Sequence, residues 1–146
     1  MKKKTIIILL IAIAVIWVGV GTITGNATKD SGGSLEIPIS EISGDAKWYE
    51  YDSDGTKIQF FAVKASDGTI RTAFDACDIC YGSKKGYRQE GDVMVCNNCG
   101  NKYPIDGLGT ENVKGGGCWP GYLPSKIEGD SLIVKHSDLE KGAYRF

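Results

Sequence analysis

The sequence predicts a mainly β protein: a small antiparallel β domain that follows a single N-terminal transmembrane helix. Three observations predict it. An uncharged aliphatic run opens the chain. From Leu35 onward, short segments of β-forming residues recur between polar–glycine turns. All five cysteines fall between positions 77 and 118, in the pattern Cys77-x-x-Cys80, Cys96-x-x-Cys99, then Cys118.

The aliphatic run comes first. Residues 5–28 carry no charge, and residues 6–20 are almost wholly aliphatic. About 20 residues at about 1.5 Å each cross a hydrocarbon core of about 30 Å. Lys2, Lys3 and Lys4 precede the run and favour a cytoplasmic start. Residues 1–25 therefore read as an anchor in the cell membrane, single-pass, with the C-terminal domain extracytoplasmic. A cleaved signal peptide is the alternative, with Thr24 to Ala27 as a small-residue site. Residues 26–34 are polar and rich in Gly and Ser, as a flexible tether is. The domain then spans residues 35–146.

Its elements follow in order. Leu35, Ile37 and Ile39 alternate with polar neighbours, and Pro38 assigns that segment to a sheet edge. Segments 47–51, 57–65, 70–74, 92–96, 131–136 and 143–146 read as further strands. Turn signals divide them: Asp52-Ser-Asp-Gly55, Ser66-Asp-Gly68, Glu90-Gly-Asp92 and Glu128-Gly-Asp130. Turns at these intervals suit antiparallel hairpins of a sandwich type. Ser137 and Glu140 have capping-box spacing, which predicts one helical turn there; residues 40–43 suggest another.

The cysteines carry the chemistry. Cys77 and Cys80 follow the strand ending at Phe74, and Cys96 closes the strand beginning near Asp92. A Cys-x-x-Cys turn aims both sulfurs one way, and two facing turns offer a four-thiolate cage for a metal or a small cluster. Gly100, directly after the second pair, suits a tight turn with positive φ. Four readings stay open. Disulfides are permitted outside the membrane. A structural zinc ribbon needs four cysteines and leaves Cys118 over. Thiolates also suit Cu(I). An iron–sulfur cluster for electron transfer is favoured, with Cys118 as a fifth sulfur beside the four. Paired loops at strand ends are also how Rieske domains hold their cluster, but through two histidines. The only histidine is His136, far from the pairs, so a two-histidine centre is not available.

The segments Arg71 to Tyr81, Gly86 to Asp92, Val95 to Gly100 and Gly116 to Pro120 resemble the FtrD-like family of membrane iron–sulfur proteins. The resemblance covers essentially the whole domain. It implies a membrane-bound, cysteine-ligated iron–sulfur centre, with Cys77, Cys80, Cys96, Cys99 and Cys118 matching the family's cysteines. It also implies a redox protein or an iron permease as partner and a role in passing electrons during iron uptake. Larger relatives carry several transmembrane helices ahead of this domain, whereas this chain has one apolar run.

Other residues near the cysteines admit simpler roles. Asp75 and Asp78 flank the first pair, as charges that tune a cluster or as turn formers. Asn97 and Asn98 suit left-handed turn positions. Tyr81, Tyr87, Tyr103, Trp119 and Tyr122 crowd the cysteines in sequence and either shield a centre from water or pack a small core. Lys84 and Lys85 read as solvated, or as contacts for an acidic partner. The formal charge is −1, and without the three leading lysines the balance is more acidic still, which excludes a nucleic-acid partner. No nucleophile–base constellation and no phosphate loop is present, so an electron carrier fits better than an enzyme. A thiol–disulfide oxidoreductase acting through either pair is the remaining redox alternative.

Overall fold

A computed structural model describes residues 29–30 and 32–146. The expected anchor, the signal-peptide site and the start of the tether lie outside the described residues. Among the described residues no helix is long and apolar enough to cross a membrane.

The domain is mainly β, as three small antiparallel sheets with short helical turns between them. The first sheet has the order β1-β2-β10-β9, from Lys29–Asp30, Ser34–Pro38, Ser131–Lys135 and Lys126–Glu128. The second has the order β3-β4-β5, from Lys47–Ser53, Thr56–Lys64 and Ile70–Phe74. The third has the order β6-β7-β8, from Tyr87–Glu90, Val93–Cys96 and Lys102–Pro104. Lys29 and Asp30, within the segment read as a tether, pair with Glu36 and Leu35.

The second sheet is the middle layer, and β4 shows why. From Phe60 to Val63 every residue of this strand is buried. Successive side chains of a strand face opposite ways. Phe60 and Ala62 therefore enter one core with Ile37, Leu132 and Val134 of the first sheet. Phe61 and Val63 enter a second core with Tyr87, Met94 and Cys96 of the third sheet. Full burial of each phenylalanine contributes about 1.5–3 kcal/mol, so β4 stabilises both interfaces at once. The cysteine-bearing sheet thus packs on the face of β4 opposite the first sheet.

Turn chemistry fixes the hairpins. Ser53 pairs with Thr56, and the intervening Asp54 and Gly55 both have positive φ, at 51° and 88°. That is the two-residue turn whose twist matches paired strands. Gly91 and Gly129 hold positive φ in the turns after Glu90 and Glu128.

Three expectations change. Residues 143–146 are not a strand: Ala143–Arg145 is a 3-10 turn, tied by Arg145 N–H to Gly142 O. Gly142 allows it by leaving room for the Phe74 ring, which would lie 2.2 Å from an added β-carbon. The Pro38 strand is not an edge, because β2 lies between β1 and β10. Pro38 is its last residue, beyond the reach of the two-residue β1, so its missing N–H breaks no ladder there. The helical turn α1 (His136–Glu140) does form, but it begins after Lys135, with no side-chain cap from Ser137.

Candidate metal centre

Each cysteine pair sits in a loop that the sheets leave at their ends. The first loop begins where β5 stops. Phe74 N–H donates to Gly121 O, and Gly121 N–H donates to Ala76 O. These two bonds lay the segment after Cys118 alongside the segment before Cys77, across a break of about forty residues. The second loop closes β7. Cys96 N–H donates to Asn101 O, and Gly100 N–H donates to Cys96 O with Gly100 at φ 75°. Gly100 thus takes the turn position its place in the sequence predicts.

Both loops turn backbone N–H groups toward their first sulfur. The N–H of Cys80 reaches Cys77 Sγ at 3.0 Å, joined by that of Ile79. Those of Cys99 and Asn98 are directed at Cys96 in the same way. Such donors favour a charged sulfur. Burial opposes charge on Cys77, but the surrounding hydrogen-bond donors, led by the Cys80 N–H, outweigh it and hold the thiol below its ordinary range. Cys99 is exposed and is also held low, chiefly by the N–H of Asn101. Burial pushes Cys96 up, and burial with the neighbouring Cys80 and Cys99 sulfurs pushes Cys118 up further.

The five sulfurs form two groups of three that share Cys80. Cys77, Cys80 and Cys118 lie within 4.8 Å of one another, and so do Cys80, Cys96 and Cys99. The Cys80 and Cys118 sulfurs are 3.5 Å apart. All five cysteines are free of disulfides. The arrangement differs from a cage of the two pairs alone, because Cys118 joins it, grouped with the first pair and also neighbouring Cys99 of the second. An all-sulfur donor set of this density fits a thiolate-bound metal such as iron, zinc or Cu(I), and it does not suit the oxygen-seeking cations.

The family model described as "Membrane iron-sulfur containing protein FtrD-like" covers residues 42–146. The chain belongs to the FtrD-like family. That span takes in all three sulfur-bearing loops. No curated protein and no solved structure matches the chain. The family description therefore stands alone in pointing to iron and sulfur in this FtrD-like domain, and the free, clustered thiols agree with it.

The flanking residues hold the loops together. The carboxylate of Asp78 accepts Gly116 N–H at 2.8 Å, the Tyr144 hydroxyl at 2.8 Å and Arg145 Nη2 at 2.6 Å. Burial works against its charge, yet these donors keep its carboxyl below the usual range. Asp78 is thus more than a turn former: it joins the first loop, the Cys118 loop and the C-terminal turn. Its spacing from Gly116 and Arg145 gave no sequence signal. Asp75 is half-buried beside β6. Its Oδ1 accepts Tyr87 N–H at 2.8 Å, and burial pushes its carboxyl up to about 6 despite this bond and one from Trp48.

Asn97 and Asn98 do not take left-handed conformations; among the described non-glycine residues only Asp54 and Lys84 do. Asn97 works instead through its side chain. Its Nδ2 donates to Lys85 O at 2.9 Å and its Oδ1 accepts Arg88 Nη1 at 2.9 Å, which ties the second loop to the first. The aromatic residues divide. Tyr87 is buried, and its hydroxyl donates to Cys118 O at 2.5 Å. Tyr103 and Trp119 meet as tilted rings, centroids 4.8 Å apart, against the same core as Cys80 and Cys118. Tyr81 and Tyr122 are exposed. His136 stacks on Tyr51 at 4.6 Å, and Tyr51 packs on the first core, whereas the cysteines belong to the second. Beside the first loop a cleft of about 400 Å³ runs past Cys77, Cys80 and Tyr87, with Lys84 and Lys85 on its wall.

Proposed function

We propose that this protein is a membrane-anchored, extracytoplasmic electron carrier whose five cysteines ligate an iron–sulfur centre. One observation carries the reading: five free thiols, from three loops, are gathered into two overlapping groups at contact distance. Free thiols crowd so closely at a cost, because their charged forms repel in a partly buried site. A bound metal offsets that cost. When bound, the centre would supply a couple for single-electron exchange.

The chain's own residues prepare the site for that task. The N–H groups of Ile79, Cys80, Asn98 and Cys99 stabilise anionic sulfur, and such donors set a cluster's potential. Tyr87, Tyr103 and Trp119 exclude water from the buried side. Cys99 and Ile79, the latter 66% exposed, bring the other side to the surface. An electron therefore has a short path out, with no substrate pocket needed between sulfur and partner. The aliphatic run of residues 6–20 supports the anchor, and the lysines before it support the orientation. A redox protein or an iron permease is the partner this reading expects, with iron uptake as the process served.

Anaerobic purification of the full chain in detergent tests the proposal. A brown protein with iron and sulfide, and visible absorption that bleaches reversibly on reduction, is the expected result. A colourless protein carrying zinc would overturn it in favour of a structural binding module. A metal-free protein with a reversible two-electron thiol couple would overturn it in favour of thiol–disulfide exchange.

A further inference from the structure

We propose that Cys80 is a bridging ligand, so that the five thiolates hold two metal atoms rather than one. One atom is held by Cys77, Cys80 and Cys118, the other by Cys80, Cys96 and Cys99. The inference rests on the reading of these sulfurs as metal ligands.

Spacing is the first argument. Metal–thiolate bonds of about 2.3 Å in a tetrahedron put sulfurs on one ion about 3.8 Å apart. Each group of three falls within 4.8 Å, and the Cys80–Cys118 pair is at 3.5 Å, so each group has the spacing of ligands on a single atom. Cys80 is common to both groups. Its sulfur lies within 4.8 Å of each of the other four, while Cys99 also neighbours Cys118 across the two groups. A sulfur at the hub of four others occupies the place of a shared ligand. In a cluster ligated only at its corners, that place belongs to the inorganic core.

Charge is the second argument. Five thiolates around one divalent ion leave a formal −3, and around two they leave −1. Uncompensated charge in a partly buried site is costly. Arg145 does not relieve it, since its guanidinium is already paired with Asp78.

Placement is the third. Cys118 is held among the other sulfurs by bonds that do not involve sulfur: Gly116 N–H to Asp78, Tyr87 hydroxyl to Cys118 O, and Gly121 N–H to Ala76 O. Its thiol is therefore delivered to the first group by the fold. Each atom would have three thiolates and one further position, open to sulfide or to an outside ligand.

Cadmium titration of the metal-free full chain, followed by cadmium NMR, tests the bridge. Two equivalents are expected to bind tightly, giving two resonances split by each other through the shared sulfur. Cys118→Ala, which removes a half-buried thiol, is expected to reduce the stoichiometry to one and abolish the splitting. A wild-type chain that saturates at one ion, or that shows two unsplit resonances, would overturn the bridge. So would a Cys118→Ala chain that still binds two. Cadmium is redox-inert, so a one-ion result leaves the electron-carrier reading standing. A natively colourless protein would sink the carrier and leave the bridge.

Discussion

Arg145 closes on Asp78 at 2.6 Å, and through that pair the last turn of the chain grips the loop between Cys77 and Cys80. The guanidinium is only 11% exposed and the carboxylate 28%. It also covers the rings of Tyr144 and Phe74, at 4.4 Å and 5.2 Å. Replacing Arg145 by Met keeps apolar cover but leaves Asp78 with two donors. A hydrogen bond to a charged group contributes about 1.5–3 kcal/mol, so a loss of about 2 kcal/mol is expected in urea unfolding. Alkylation of Cys118 in the metal-free protein should quicken as well, because Asp78 also holds Gly116. Adding Asp78→Asn to Arg145→Met should cost less than the two single losses combined.

Gly86 has no alternative. Its φ is 61°, and a β-carbon there would lie 2.3 Å from Asp75 Oδ2. Gly86→Ala is expected to cost more than about 2 kcal/mol, since backbone strain of about 1–3 kcal/mol adds to the clash. Asp75→Ala in the same chain removes the clash but not the strain. Thermal unfolding of the double variant should therefore recover part, not all, of the loss.

Tyr49 offers a gain. It is 3% exposed, stacks on Phe60 at 5.4 Å, and its hydroxyl has no hydrogen-bond partner among the described residues. Burying a hydroxyl without a partner costs about 1–3 kcal/mol, so Tyr49→Phe should raise stability by about 1 kcal/mol at neutral pH. Burial, with the charge of Glu41, pushes the phenol up to about 12. The folded state thus keeps its proton where the unfolded chain, near 10, loses it. Stability from this group is complete below about pH 10 and is lost as pH rises toward about 12. Unfolding measured across that window should lose part of its pH dependence in Tyr49→Phe.

If the thiols hold a metal as proposed, its removal should be felt locally. Amide exchange is expected to rise in residues 77–81, 96–101 and 115–119, where the loops converge on sulfur. The amides of β2, β4 and β10 belong to the first core or the ladders around it and should keep their protection. Equal loss of protection throughout would show that the metal supports the whole fold.

Much of this was legible in residue order. The strand at 70–74, the hairpin turn at Asp54-Gly55 and the turn at Gly100 follow from β-forming runs and glycine chemistry. Periodicity could not show that β4 is buried on both faces by two different sheets. The short strands β6, β8 and β9 also escaped, since runs of three or four mixed residues are too short to show a period. Residues 143–146 look extended because Tyr and Phe favour strands, yet Gly142 and the Phe74 ring decide otherwise. At the site, spacing reveals the paired cysteines. It cannot reveal that Cys118 joins the first pair, because that depends on the bonds among Phe74, Ala76 and Gly121.

The layering has a practical consequence. The described chain enters at Lys29–Asp30 in the first sheet, and the thiols lie with the third sheet beyond β4. A dye, bead or electrode linked at Asp30 would be attached on the flank remote from the sulfur atoms. Immobilised in that orientation, the molecule would present its reactive flank to the bathing solution, and current drawn directly by the support would have to tunnel through the full thickness of the domain.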